Sequence, residues 1–453
     1  MHFQALPTRE RGLLTPNLVL RTGTKDGWLR RGRRDCLPSR HLQWYSCKIF
    51  NPIAKYLTMW IEREFIPALK QISGQRPVVL LTGCRQSGKT SLLEQAFPKH
   101  RYVSLDLPLE AERAESAGEA FLADHAAPVI IDEIQYAPKL LRHIKHAVDR
   151  DRAAVGRYLL TGSQKLALMQ GVSESLAGRV AVLELHSLSL REIQNAFSAP
   201  RDTDALLELI WKGGYPELHA RQLDPKRFYA DYVATYLERD VRQAINVRNL
   251  RDFDRFVRLC ALRSGQLLNM NGLAGDAGVS PNTIRSWLSV LEASNVIHLL
   301  PPYFRNVGKR LVKAPKLYFL DTGLACHLAG LRSPNELKSS ALVGAFFETL
   351  ALGQLIRAHA NRGLVAPLCY YRDHQGNEVD FLVPVGERAH LLECKWAQDP
   401  HIGRGMRAVE HALGSGNVLS RSVISSHLGA PVMRDGVALR SAIDFDWLLE
   451  GLS

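Results

Sequence analysis

The stretch PVVLLTGCRQSGKTSLLEQ constrains the fold of this chain more than any other. It carries the spacing GxxxxGK[ST] from Gly83 to Thr90, with an apolar run ahead of it and a helical pattern behind. Such a strand–loop–helix leaves the backbone N–H groups of Cys84, Arg85, Gln86, Ser87, Gly88 and Lys89 free to wrap phosphate oxygens. The helix N-terminus adds its positive dipole end. Lys89 is then placed for β and γ phosphates and Thr90 for Mg²⁺. Gly83 through Ser91 is the candidate nucleotide segment, with ATP and Mg²⁺ as the implied cofactors.

About forty residues on, PVIIDEIQ puts Asp132 and Glu133 at the end of a second apolar run. An acid there holds the magnesium through its water shell, and its neighbour orients and deprotonates the attacking water. In GRYLLTGS, Ser163 ends a further strand, where it either touches the γ-phosphate and lytic water or is a plain turn serine. In SESLAGRV, Arg179 is either a finger completing the charge on a neighbouring subunit's γ-phosphate or a surface arginine. Acting in trans, it implies a homo-oligomer. Arg85 contacts either nucleotide or solvent.

Apolar runs (PVVLLTG, RYVSLDL, PVIIDEI, GRYLLTGS, VAVLELH) alternate with helical stretches from Met59 to about residue 200, the pattern of an α/β fold with a covered parallel sheet. Within this region MWIEREFIPALKQI reads as one amphipathic helix. Residues 201–260 read as a helical lid containing the turn GGYP, and residues 261–325 as a winged helix. In LAGDAGVSPNTIRSWLSVLE, Gly278 marks the turn and Ser280 the N-cap, with Asn282, Thr283, Arg285 and Ser286 facing outward. The following hairpin supplies a basic wing of Arg305, Lys309, Arg310 and Lys313. Such a module contacts a double-stranded DNA partner or serves as a protein–protein element. Residues 326–453 form the C-terminal domain.

The net charge of +13 is concentrated: residues 1–58 hold eleven Lys or Arg against three acids, and so carry +8. The folded body is therefore only weakly basic. The extension is read as a nucleic-acid-binding arm, an organellar presequence, or a segment ahead of a true start at Met59. The seven cysteines form no CxxC pair, which fits a reducing, cytoplasmic compartment. No apolar run approaches the ~18 residues of a membrane span, so no membrane partner is expected.

The C-terminal stretch NEVDFLVPVGERAHLLECKWA places Asp380 on one arm of a hairpin and Glu393 and Lys395 on one face of the other. Upstream, ALVGAFFETLALGQLI carries Glu348 on a helix, and Glu378 shares the face of Asp380. Neighbouring carboxylates coexist ionised when a cation sits between them. Mg²⁺ or Mn²⁺ suits an all-oxygen site, and Lys395 is then placed to position or activate a water near a phosphodiester. The alternative is a retained scaffold that binds DNA or protein without cutting.

The series TGCRQSGKT, IIDEIQ, LTGS, SLAGR, GGYP, YLERDV and KAPKLYFLDTGL resembles one family of bacterial and archaeal AAA+-type P-loop ATPases, from about Met59 to the C-terminus. The resemblance implies an AAA+-like ATPase core at 59–200 and a C-terminal domain of unknown function related to restriction endonucleases. The order Glu348, Asp380, Glu393, Lys395 is similar to the PD-(D/E)xK pattern. Cys84 stands where the family often has proline.

Overall fold

The structure, a computed structural model, describes residues 59–163, 172, 175–237, 250–303 and 314–450. The extension 1–58 and the basic wing (Arg305, Lys309, Arg310, Lys313) lie outside the described residues.

Five strands form the first sheet: β1 (Val78–Thr82), β2 (Arg101–Ser104), β3 (Val129–Asp132), β4 (Tyr158–Thr161) and β5 (Val180–Glu184). Their order is β2-β3-β4-β1-β5 and every pairing is parallel. The side-chain period of two sorts β1 between two separate cores. Val78 and Leu80 pack with Ile131 and Leu160, while Val79 and Leu81 pack with Ile130 and Leu159. Both faces are covered, which is why these strands read as unbroken apolar runs. Strands β1, β3 and β4 end side by side, so Gly83, Asp132, Glu133 and Ser163 emerge at one carboxyl edge, where ligands bind in open parallel sheets.

The helix expected from Met59 spans only Ile66–Ser73. Pro67 lies in its first turn, where the backbone N–H groups have no partner within the helix; further inside, its ring would clash with the carbonyl four residues back. The chain ahead of it is non-helical and buries Ile61, Arg63 and Phe65.

Among the described residues, the middle region contains helices at Thr203–Lys212, Pro216–Ala220, Pro225–Tyr232 (continued by a π-helical turn, Val233–Leu237), Leu250–Leu262, Met270–Ala277 and Pro281–Ala293. A three-stranded sheet follows, built from β6 (Gln266–Leu267), β7 (Ile297–Leu300) and β8 (Lys316–Phe319), with β8 central and antiparallel to both. Gly278 adopts the left-handed conformation after Met270–Ala277, and the Ser280 side chain accepts from Thr283 N, as the sequence indicates. Asn282, Arg285 and Ser286 are exposed, while Thr283 is half-buried.

The last sheet is mixed, in the order β13-β14-β12-β11-β10-β9. Its strands are β9 (Cys369–Arg372), β10 (Glu378–Val385), β11 (Arg388–Lys395), β12 (Val418–Ser425), β13 (Val432–Arg434) and β14 (Val437–Ser441). The long helix Val343–Ala360 packs on it, with Phe347 against Trp396. A single apolar cluster runs from Leu190 and Tyr215 through Phe256, Trp287 and Tyr318 to Phe381 and Leu449, joining the middle helices to the last sheet.

Candidate functional site

The phosphate loop follows β1 directly. Gly83 has φ +141°, and a Cβ there would stand 2.1 Å from the Leu185 carbonyl oxygen. Gly88, at φ +89°, is the left-handed N-cap of the helix Lys89–Ala96. Its missing side chain leaves open space, since a Cβ there would meet nothing within 4 Å. The buried Lys89 Nζ donates to the Gly83 and Cys84 carbonyls at 3.1 and 2.9 Å. Burial lowers its pKa, although nearby acids including Glu133 and Asp132 oppose the shift. The Ser87 hydroxyl donates to the Cys84 carbonyl at 2.9 Å. Burial raises the Cys84 thiol, so this residue is neutral packing within the loop.

Asp132, at the end of β3, collects three hydroxyls. Thr90 Oγ1 donates to Oδ1 at 2.8 Å, Thr161 Oγ1 donates to the same oxygen, and Tyr102 OH donates to Oδ2 at 3.1 Å. Burial and the Asp132 charge raise the Tyr102 phenol, which stays protonated as a donor. Glu133 takes a left-handed conformation at φ +56°, an unfavourable region for a residue with a Cβ. Its N–H is held by Thr161 Oγ1 at 3.0 Å. Its carboxylate is fixed by Ser163 Oγ at 3.1 Å and by the Gln135 amide. The two adjacent acids are thus separated, one behind Thr90 and the other beside Ser163.

Arg179 is held elsewhere within its own chain. It makes a bidentate pair with Asp149, at 2.7 and 3.0 Å, on the helix Leu140–Arg150. The Arg179 hydrogen bonds depress the Asp149 carboxyl and raise the guanidinium.

The residues present fit a nucleotide with its magnesium. The loop offers open space at Gly88, a lysine whose ammonium is held by the loop's own carbonyls, and a hydroxyl and a carboxylate converging from Thr90 and Asp132.

In the C-terminal part, Glu348, Glu378, Asp380, Glu393 and Lys395 line one open cleft of about 530 Å³. The register Phe381↔Leu392 brings Asp380 and Glu393 to adjacent strands, and Asp380 Oδ2 accepts from Cys394 N at 2.8 Å. Lys395 Nζ pairs with Glu393 at 2.7 Å. The sequence missed the group at the centre. Lys316, from β8, places its buried Nζ 2.6 Å from Glu378, 3.2 Å from Glu348 and 3.5 Å from Asp380. Tyr318, two residues along the same strand, donates to Glu348 Oε1. Burial raises the Glu348 carboxyl to about 7, with Asp380 adding to the shift and Lys316 opposing it. Burial alone would lower Lys316, but the surrounding carboxylates outweigh it and raise its pKa. Among the described residues, no three His, Cys, Asp or Glu form a group able to hold a metal ion.

A family model described as an AAA domain matches residues 75–194. Two described as domains of unknown function, DUF8612 and DUF4143, match residues 203–335 and 343–429. The uncharacterized proteins Mb2031c of Mycobacterium bovis and Rv2008c of Mycobacterium tuberculosis are each 33% identical over 368 residues, covering 80% of this chain and 80% of the relative. The chain belongs to their family. A solved DNA replication initiation factor is 14% identical, with a TM-score of 0.24 over 51% of this chain and 86% of that one. The FIGL-1 AAA domain solved with ADP is 12% identical, with a TM-score of 0.20 over 56% and 85%. Likenesses this slight say nothing of function.

The family match makes residues 75–194 an AAA-type ATPase domain, with the phosphate loop, Asp132, Glu133 and Ser163 inside it. Thr161 and Tyr102 lie in the same segment and escaped the sequence reading, although Thr161 sits in the quoted LTGS. Arg63 precedes the segment. It is buried, with Nη1 donating to the Ser87 carbonyl at 2.9 Å, Nη2 to the His186 carbonyl at 2.8 Å and Nε to Glu192 at 2.9 Å. The cleft draws on two matched segments, Lys316 from DUF8612 and its acids from DUF4143. Among the described residues, no helix is long and apolar enough to cross a membrane.

Proposed function

We propose that this family member hydrolyses ATP at the Gly83–Ser91 loop and uses the turnover to reposition its middle and C-terminal parts on a DNA partner. The observation that carries the ATPase roles is the separation of the two adjacent acids. Bound ATP with Mg²⁺ supplies the scissile phosphoryl group and a cation that neutralises its charge. Lys89 binds phosphate oxygens, and Thr90 and Asp132 hold the metal. Glu133, fixed by Ser163 and Gln135, takes the proton of the attacking water. Lys89→Ala should abolish nucleotide binding. Glu133→Gln should keep binding and lose hydrolysis by on the order of 10²- to 10⁴-fold, the range of a general base. A Glu133→Gln protein that turns over at the wild-type rate would move the base elsewhere.

The helices Met270–Ala277 and Pro281–Ala293 with the β6-β8-β7 sheet support a winged helix. Its exposed Asn282, Arg285 and Ser286 are offered to a duplex. The order of Glu348 on a helix and Asp380, Glu393 and Lys395 on a hairpin supports a nuclease-like scaffold. Duplex affinity that is unchanged in Arg285→Glu would remove this helix from the interface. A second reading, a nucleotide-gated switch whose C-terminal domain binds a partner without cutting, is favoured by the Lys316 ion pairs. DNA cleavage with Mg²⁺ that disappears in Asp380→Ala and Glu393→Ala would sink it. Arg179 serves a neighbouring subunit only if its pair with Asp149 opens.

A further inference from the structure

We propose that Lys316 is the resident cation of the C-terminal cleft and that it excludes a divalent metal from the carboxylates of Glu348 and Asp380. Clustered carboxylates stay ionised together when a positive charge sits among them, and here a side chain supplies it. Its three ion pairs, at 2.6, 3.2 and 3.5 Å, reach Glu378, Glu348 and Asp380. A metal bridging Glu348 and Asp380 would have to stand where this ammonium stands.

The charges of the cleft support this. Its lining contains four carboxylates (Glu348, Glu378, Asp380, Glu393) and three cations (Lys316, Arg372, Lys395). Arg372 pairs with Glu378 at 3.2 Å and Lys395 with Glu393 at 2.7 Å. With all four carboxylates ionised the lining carries at most one negative charge in excess, and each carboxylate already has a cation beside it.

Lys316 is also held in place. Its backbone is paired on both sides, with Leu300 of β7 and Leu267 of β6. Its ammonium lies 5.6 Å from the centre of the Tyr370 ring, a contact that favours a cation. The motif KAPKLYFLDTGL thus gains a role: Lys316 and Tyr318 both reach Glu348 from one face of β8. This inference goes beyond the proposed function and rests on the cleft alone.

Mn²⁺ binding to the nucleotide-free full chain, counted by the electron paramagnetic resonance of free Mn²⁺, tests it. Wild type and Asp380→Asn should bind the same number of ions. Lys316→Met should gain one ion per chain, at least tenfold tighter than any wild-type binding in the cleft, and Lys316→Met/Asp380→Asn should lose it again. A wild-type ion that disappears in Asp380→Asn overturns the proposal. So does a Lys316→Met protein with a wild-type circular dichroism spectrum that gains no ion. If Lys316→Met does not fold, the wild-type and Asp380→Asn comparison still decides. None of these outcomes touches the ATPase reading, which stands or falls on Lys89 and Glu133.

Discussion

Two glycines in the phosphate loop share a left-handed backbone and differ in what surrounds them. At Gly83 an added methyl group would collide with the Leu185 carbonyl at 2.1 Å, on a strand-to-loop junction bonded to β5 through Leu185 N and the Thr82 carbonyl at 2.8 Å. At Gly88 the same methyl group would meet open space, leaving only the cost of the conformation, ~1–2 kcal/mol. Gly83→Ala should therefore lower the urea midpoint far more than Gly88→Ala, because it must displace backbone in the strand pair. Gly88→Ala should keep its stability within that range and lose nucleotide affinity, since it adds a methyl group to the phosphate loop next to Lys89. Equal destabilisation by the two changes would show that the β1–β5 junction yields to the methyl group. Glu133 uses the same backbone region for another end. Its left-handed turn swings the carboxylate away from Asp132 towards Ser163, so that two acids one bond apart serve different partners.

At the scale of elements, the turn GGYP and the helix Pro216–Ala220 after it bury a histidine. His219 Nε2 donates to the Gly213 carbonyl at 2.8 Å, and burial lowers its pKa to about 4. A depressed pKa favours the neutral form in the folded state, so its stabilising contribution is present above the unfolded value near 6.5 and is lost as pH falls towards 4. By pH 5 the loss should be about 2 kcal/mol. Because burial also lowers His327, His359 and His390, the measurement is a comparison. Urea midpoints between pH 7.5 and pH 5 should fall more steeply in wild type than in His219→Gln, and parallel curves would exclude His219 as the source. The elements that the sequence made legible are those with local causes. The strands of the first sheet are buried on both faces and appear as continuous apolar runs. The turn at Gly278 and the cap at Ser280 need only neighbours a few residues away. Arg63 and Lys316 left no such trace. Arg63 meets Glu192 across 129 positions, and Lys316 meets Glu348 and Asp380 across 32 and 64. Inside MWIEREFIPALKQI the arginine reads as one more charge on a helix face, and inside KLYFLD the lysine reads as a strand end. Their partners exist only once the chain has folded.

Across the whole molecule, the phosphate loop and the C-terminal cleft are joined by buried polar contacts. Arg63 ties the Ser87 carbonyl of the loop to the His186 carbonyl and to Glu192. The adjoining residues are gripped from the helix Val343–Ala360. Gln354 accepts from Leu190 N at 2.8 Å, and Arg357 Nε donates to the Ser187 carbonyl at 2.9 Å. Asp321 closes the node, accepting from Ser187 Oγ at 3.1 Å, Gly214 N at 2.9 Å and Tyr229 OH at 2.8 Å. The motifs GGYP and LDTGL meet here. The same helix carries Glu348 nine residues before Arg357, about 14 Å along its axis. A buried network with every partner satisfied resists partial rearrangement, so a change in the loop should register along this helix. Hydrogen exchange measured with and without a non-hydrolysable ATP analogue should show altered protection in 343–360 as well as in 83–91. Gln354→Leu removes the acceptor of Leu190 N while leaving the loop and its Arg63 contact intact. It should keep the change at the loop and reduce it in the helix. Nucleotide that protects the loop of the wild-type chain and leaves 343–360 untouched would mean that the network is a static support, with the two sites working independently.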